Sequence, residues 1–194
     1  MYKFLLILLS VVGMATATSA QQKQDMNSRQ SNHKILVAYF SATGTTARAA
    51  QKVAHATGGE LYAITPAQPY TDADLNWNDK QSRSSVEMND PKARPAIKSQ
   101  KGKIADYDVV FIGYPIWWHT APMIIGTFLE SYDLTGIDIY PFTQSASMDT
   151  EQFENSMEFV RKSAGNGTVH DGLFVDESDT EAIDSYLENN RLIR

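Results

Sequence analysis

The chain has 194 residues, 42% hydrophobic and 21% charged, with a net charge of −6 and no cysteine. That length suffices for one domain with a proper core. The acidic balance argues against nucleic acid or an anionic membrane as partner, and the lack of cysteine excludes a disulfide and a lipid-modified N-terminal Cys.

The N-terminus reads as an address. Met1-Tyr2-Lys3 is a short basic start, Phe4 to Val12 is apolar, and Ala15 to Ala20 is rich in small residues. This is the pattern of a secretory signal peptide over residues 1–20, cleaved after Ala20. The apolar part is shorter than the roughly 20 residues of a spanning helix, so no membrane span is expected after cleavage. No twin arginine precedes it, so export unfolded, to the periplasm or beyond, is the expected route. Residues 21–33 are polar and aperiodic and read as a flexible leader, which leaves 34–194 as the domain.

Within the domain, Ile35 to Phe40 is apolar on both faces, as in a central parallel strand. Ala47, Ala50, Val53 and Ala54 then recur at helical spacing, and Gly58-Gly59 ends the helix. Leu61 to Ile64 is a short second strand. An extended connection over 65–107 follows, with Pro66, Pro69, Pro91 and Pro95, a short helix expected near Asp79 to Met88, and Tyr70, Leu75 and Trp77 among polar residues. It is too long for a plain link and is expected to cover something. Asp108 to Gly113 is the third strand, and Ala121 to Ser131 a helix with Pro122 in its first turn. Ile137, Ile139 and Phe142 mark a fourth strand. Phe153, Met157, Val160 and Ala164 share a helical face behind a start at Asp149 to Gln152. Thr168 to Val175 contains a fifth strand, and Ser178-Asp179-Thr180-Glu181 is a capping box that opens a last helix.

Strands alternating with helices predict a three-layer α/β domain: an open parallel sheet with helices on both faces. Ligands bind such sheets at the carboxyl ends of the strands, where three loops would meet. The first, Ser41 to Thr46, carries four hydroxyls and Gly44 between a strand and a helix. Helix N-termini present unpaired N–H groups to anions, and glycine lets the backbone come close. The loop has no lysine, so it is not the Gly-x-x-x-x-Gly-Lys-Ser/Thr nucleotide loop; neutral donors suit a phosphate monoester that is held without being cleaved. A turn with a Ser or Thr cap is the plain alternative. The second, Tyr114 to His119, places Trp117 and Trp118 side by side behind Pro115, a stiff platform for a flat aromatic ring. The third, Thr143 to Met148, offers hydroxyls and an amide for the edge of a heterocycle, or is a polar turn.

These motifs resemble a known family. Ser41-x-Thr43-Gly44-x-Thr46 resembles the FMN phosphate loop of flavodoxins. Gly113-Tyr-Pro-Ile-Trp-Trp118 followed by Pro122 is similar to the flavin loop of a bacterial flavodoxin-like family. Leu75-Asn-Trp77, Ser82-Arg83-Ser84 and Glu87-Met-Asn-Asp90 are similar to its middle segment. The resemblance covers about Lys34 to Leu187 and implies strand order 2-1-3-4-5 with FMN as cofactor. It implies that Ser41, Thr43, Gly44, Thr45 and Thr46 hold the phosphate. Pro115, Ile116, Trp117 and Trp118 then flank the isoalloxazine, and Thr143, Gln144, Ser145 and Ser147 lie along its other side. The chain departs from the family pattern at His119, where glycine is usual, and in a third loop without glycines.

Two classes of function follow. One is an FMN-binding redox protein, either an electron carrier to a redox partner protein or a reductase of a small quinone-like substrate, in which the flavin carries the chemistry. Trp77 and the middle segment would wall a substrate pocket in the reductase, and His119 is the one candidate proton donor, against its plainer reading as a surface-loop histidine. The other is a non-enzymatic binding module on the same scaffold. That module would have lost or weakened flavin binding, whereas the redox protein, if exported, is expected to take up flavin after export. His33, His55, His119 and His170 show no metal-ligand spacing, and there is no Gly-x-Ser-x-Gly elbow.

Overall fold

The computed structural model describes residues 33–144, 150–174 and 180–193. The expected signal peptide and nearly all of the leader lie outside the described residues, as do Ser145, Ser147, and Ser178-Asp179 of the capping box. Among the described residues no helix is long and apolar enough to cross a membrane.

The sheet is parallel throughout, in the order β2-β1-β3-β4-β5. Its strands are β1 (Ile35–Tyr39), β2 (Glu60–Ala63), β3 (Val109–Tyr114), β4 (Asp138–Thr143), β5 (Thr168–Val169) and β6 (Leu173–Phe174). The last two are short pieces that both pair with β4, at its start and its end. The single fifth strand expected from Thr168 to Val175 is therefore interrupted, by His170-Asp171-Gly172. The helices are α1 (Thr45–Thr57), α2 (Arg83–Asn89), α3 (Met123–Glu130), α4 (Thr150–Ser163) and α5 (Thr180–Asn189).

Side chains alternate across a strand, so a strand buried on both faces reads as one apolar run. Leu36, Ala38 and Phe40 join Val110 and Ile112 under Ile124, Ile125 and Phe128 of α3 and Val160 of α4. Ile35 and Val37 join Val109 and Phe111 on the opposite face, under Ala50 and Val53 of α1 and Ile183 and Leu187 of α5. Each such side chain contributes about 1.5–3 kcal/mol on burial. These two cores send the helix after β1 to one face and the helix after β3 to the other. The boundaries shift slightly from expectation. Pro122 caps α3 from outside with extended backbone (φ −59°, ψ 143°) and is not in its first turn. The short helix of the middle segment starts at Arg83, where Ser82 Oγ accepts the Ser85 N–H at 3.3 Å.

The middle segment is a closed excursion. Pro66 and Ile97 form an antiparallel bridge, the Ala67 N–H donates to the Ala96 carbonyl at 2.7 Å, and the Lys98 N–H to the Thr65 carbonyl at 2.8 Å. Arg94 clamps it to the end of α3 with two bonds of 2.7 Å to the carboxylate of Glu130, and that guanidinium holds the Glu130 carboxyl below its ordinary pKa.

Gly113 and Phe142 are register partners across β3 and β4. A Cβ on Gly113 would stand 2.2 Å from the Phe142 ring, which is buried and has nowhere to go. Gly113→Ala is therefore expected to destabilise the domain by about 1–3 kcal/mol, the usual cost of overpacking a core. Urea denaturation measures this, and a variant as stable as wild type would show that Phe142 yields freely.

Candidate functional site

The carboxyl ends of β1 and β3 are adjacent, joined where the Phe40 N–H donates to the Gly113 carbonyl at 2.9 Å. Because α1 and α3 leave to opposite faces, the loops that precede them diverge and open a crevice. It is a cleft of about 500 Å³, inside the range of small-molecule sites. Ser41, Thr43, Thr45 and Thr46 line it from the first loop, Pro115 to His119 from the second, and Leu75, Trp77 and Ser84 from the middle segment. The described residues that line it carry no charged side chain, His119 being the one titratable group.

The first loop is not a hydroxyl-capped turn. The N-cap of α1 is Gly44, left-handed at φ 93°, and no side chain caps the helix. Glycine takes that conformation without steric cost. Ser41 Oγ accepts the Gly44 N–H at 3.1 Å, which folds the loop back on itself. Thr46 is the informative residue. It is 1% exposed, lines the cleft, and its Oγ1 has no hydrogen-bond partner. A buried hydroxyl without a partner costs about 1–3 kcal/mol, and Thr46 sits where an incoming anion would supply one.

The second loop is a two-residue reversal. The Trp117 N–H donates to the Thr120 carbonyl at 2.9 Å and the Thr120 N–H to the Trp117 carbonyl at 3.0 Å. Between them Trp118 and His119 both have positive φ, 44° and 65°. This is the pattern of a type I′ turn, which ordinarily takes Asn-Gly or Gly-Gly. Two bulky residues in that conformation store strain, with their side chains at the cleft. The half-buried Trp117 is fixed from behind. Its ring meets Phe40 edge-on at 5.4 Å and Tyr70 at 5.3 Å, and Trp118 lies 6.5 Å away. Tyr70 is itself held by the middle segment: its hydroxyl donates to Glu87, and the Arg83 guanidinium lies 4.1 Å over its ring while donating to Glu87 at 2.6 Å. Burial, and then the Glu87 carboxylate, push the Tyr70 phenol pKa well up, so it stays a neutral donor.

The third loop contributes less than expected. Thr143 is fully buried, and its Oγ1 donates to the Tyr114 carbonyl at 2.6 Å, so it braces β3 against β4 instead of facing the cleft. Gln144 is 5% exposed and is not among the cleft-lining residues. Ser145 and Ser147 lie outside the described residues. Gln152 of α4 lines the cleft from that side.

A family model described as flavodoxin matches residues 34–190. The chain belongs to the flavodoxin family. A crystal structure of a protein from Bacteroides eggerthii, provisionally described as a flavoprotein, is 56% identical to this flavodoxin-family chain. It covers 81% of this chain and 98% of its own, with a TM-score of 0.76. A similarly described protein of Bacteroides uniformis is 46% identical over 81% and 99%, with a TM-score of 0.75. A flavoprotein of Lactobacillus acidophilus in complex with FMN shares the fold at 22% identity over 78% and 99%, with a TM-score of 0.62. Among curated proteins nothing matches the chain.

Two contributors at this flavodoxin-family cleft escape a reading of the sequence. Arg48 donates through Nη2 to Thr45 Oγ1 at 3.4 Å and so brings a cation against a loop that contains none. Its position four residues after Gly44, on the same helical face, was the available signal. The turn at Trp118-His119 had none, because it lacks the residues that mark such turns. Replacing His119 with glycine, the usual residue in the family pattern, is expected to stabilise the protein by about 0.5–1 kcal/mol by relieving a left-handed residue. Thermal denaturation reads this directly; an unchanged or lowered midpoint would mean that the turn carries no strain.

Proposed function

We propose that this protein binds FMN in the cleft between β1 and β3 and acts as a flavin-dependent redox protein on a flat, quinone-like acceptor. The observation that carries the cofactor is the unpartnered Thr46 hydroxyl, buried at the mouth of an uncapped, glycine-started helix. Thr46, Ser41, Thr43, Thr45 and the N–H groups around Gly44 form a donor set that fits a phosphate monoester. Pro115, Ile116, Trp117 and Trp118 offer a wall for the ring. A protein of the same fold crystallised with FMN supports the same reading. Bound there, FMN supplies the redox chemistry, for which the chain has no side-chain substitute such as a cysteine pair.

The protein's part is to hold the ring, exclude water from it and admit an acceptor. The excursion of 65–98 favours a small acceptor over a redox partner protein. Its turns are tied together: Thr71 donates N–H and hydroxyl to Asp74, the Leu75 N–H donates to the Thr71 carbonyl, and Ser84 donates twice to the Asp74 carbonyl. This ordered backbone carries Trp77 at the cleft with 72% of it exposed. An ordered, exposed indole is preorganised to stack on a flat molecule. His119, exposed at the same mouth, is placed to share a proton with what enters.

Two measurements test the two halves. Titration of the apoprotein with FMN, followed by flavin fluorescence, is expected to saturate. Thr46→Val is expected to weaken it about tenfold while leaving the apoprotein equally or more stable, since the variant removes an unsatisfied buried hydroxyl. A wild-type protein that ignores FMN would sink the reading and leave a binding module. For the acceptor, Trp77→Ala is expected to raise KM for a naphthoquinone about five- to tenfold, a loss of stacking of about 1 kcal/mol, with FMN affinity unchanged. An unaltered KM would move the role back to electron carriage between proteins.

A further inference from the structure

We infer that Tyr70, which lies behind the cleft wall, is a positioning residue for the flavin ring: Glu87 and Arg83 of α2 hold it, and it fixes the angle at which Trp117 faces the cleft. This rests on the FMN reading above. Trp117 lines the cleft and Tyr70 does not. Phe40, Tyr70 and Trp117 form a closed triangle of rings. The centroids are 5.8 Å apart for Phe40 and Tyr70, 5.4 Å for Phe40 and Trp117, and 5.3 Å for Tyr70 and Trp117. Each ring comes from a different part of the chain: Phe40 follows β1, Tyr70 belongs to the excursion, and Trp117 to the loop after β3. Trp117 meets both neighbours close to edge-on, at 86° to Phe40 and 85° to Tyr70. An indole held on two sides in this way turns only if one of them moves. Phe40 is 1% exposed and is tied to the sheet through its N–H. Tyr70 is the corner that the sheet does not hold.

The short helix α2 holds it instead. The Tyr70 hydroxyl donates to Glu87 Oε2, which fixes the long axis of the ring. The Arg83 guanidinium lies 4.1 Å over the ring and fixes its plane. Arg83 Nε donates to Glu87 Oε1 at 2.6 Å, and Nη1 donates to the Gln68 carbonyl at 2.7 Å. One arginine thus sets both the ring and the backbone that leads to it, and Pro69 between Gln68 and Tyr70 restricts that backbone further. Glu87 uses both carboxylate oxygens, one for each neighbour. An amide has a single acceptor oxygen, so Glu87→Gln keeps one of the two bonds at most. The Arg83 and Glu87 side chains are only 21% and 16% exposed. Replacing such a pair by apolar side chains is often neutral for stability, so what this pair secures is one arrangement of Tyr70. Binding of a flat ring benefits from that, because a wall already ordered costs nothing to order when the ring arrives.

The test compares Glu87→Gln, Tyr70→Phe and their double variant with wild type, as apoproteins titrated with FMN by flavin fluorescence. Arg94→Gln, which cuts the clamp between the excursion and Glu130, is the control for general loosening. Each single variant at Glu87 or Tyr70 is expected to weaken FMN about fivefold, the size of a lost aromatic placement. The double variant is expected to lose no more than the larger single loss, because both changes cut one chain of contacts. Glu87→Gln keeps every aromatic side chain, so its apoprotein is expected to show a smaller tryptophan band in near-UV circular dichroism, the sign of an indole less firmly placed. Arg94→Gln is expected to unfold at a lower temperature while keeping the wild-type band and FMN affinity. Glu87→Gln with either the wild-type affinity or the wild-type band overturns the inference. So do additive losses in the double variant, and so does a loss in Arg94→Gln equal to that in Glu87→Gln, the mark of a merely structural role. Wild type that ignores FMN overturns the FMN reading itself, and this inference with it.

Discussion

The site depends on the adjacency of β1 and β3 in a parallel sheet whose two strands hand their chains to opposite faces. Leu36 and Val37 already hold the arrangement: one side chain faces the α3–α4 core and its neighbour faces the α1–α5 core. Both faces must be buried for the strand to exist, so helices must lie on both sides. The loops that lead to them must then part. This crevice at the strand-order switch is known from flavodoxin-type sheets themselves, and here it needs no special residue. Chemistry enters only through what the loops carry. Gly113 shows how tightly the two are joined, because the residue that admits the Phe142 ring on one side also anchors Phe40 and the first loop on the other.

Features with a local cost gather at this crevice. Thr46 buries a hydroxyl without a partner, Trp118 and His119 hold left-handed backbone, and Trp77 keeps a large apolar ring in solvent. Among the described residues, comparable features elsewhere are scattered and do not share one cleft: the unpartnered Thr127 Oγ1 on α3, the left-handed Lys103 and Arg191, and the exposed Leu61, Val86 and Phe174. A domain is stable by only about 5–15 kcal/mol, so three such features within one cleft of about 500 Å³ point to a ligand that relieves at least the first of them.

Much of the fold was legible because burial on both faces writes itself into the sequence as runs such as Ile35 to Phe40 and Asp108 to Gly113, the latter shifted by one residue to Val109–Tyr114 in the structure. The helices showed through the spacing of Val53, Val160 and Ile183. What stayed hidden has physical reasons. The outer strand was expected within Thr168 to Val175, but its break at His170-Asp171-Gly172 was not, because each piece is two residues long, too short for any period of its own. The order of residues 71–84 comes from side chain–backbone bonds of Thr71, Asp74 and Ser84, which leave no hydrophobic pattern. Within the site, the first two loops were readable from hydroxyl and aromatic content. Thr143 was misleading because a hydroxyl at a strand end can brace the neighbouring strand as readily as face a ligand.

The middle segment changes what the cleft is suited to. A carrier that docks to another protein benefits from an open ring edge. Here 65–98 closes on itself through the Pro66–Ile97 bridge and is clamped at Glu130 by Arg94. It then reaches the cleft in two ways. Arg83 and Glu87 hold Tyr70, which holds Trp117 from behind, while Asp74 and Ser84 fix the turn that carries Leu75 and Trp77 to the front. The same excursion therefore stiffens the inner wall and supplies the outer one. A segment that only shielded the ring would place its apolar side chains against it and bury them; this one leaves its indole 72% exposed on an ordered backbone. On the proposed reading, that combination of a braced wall and an exposed ring would serve a second flat molecule.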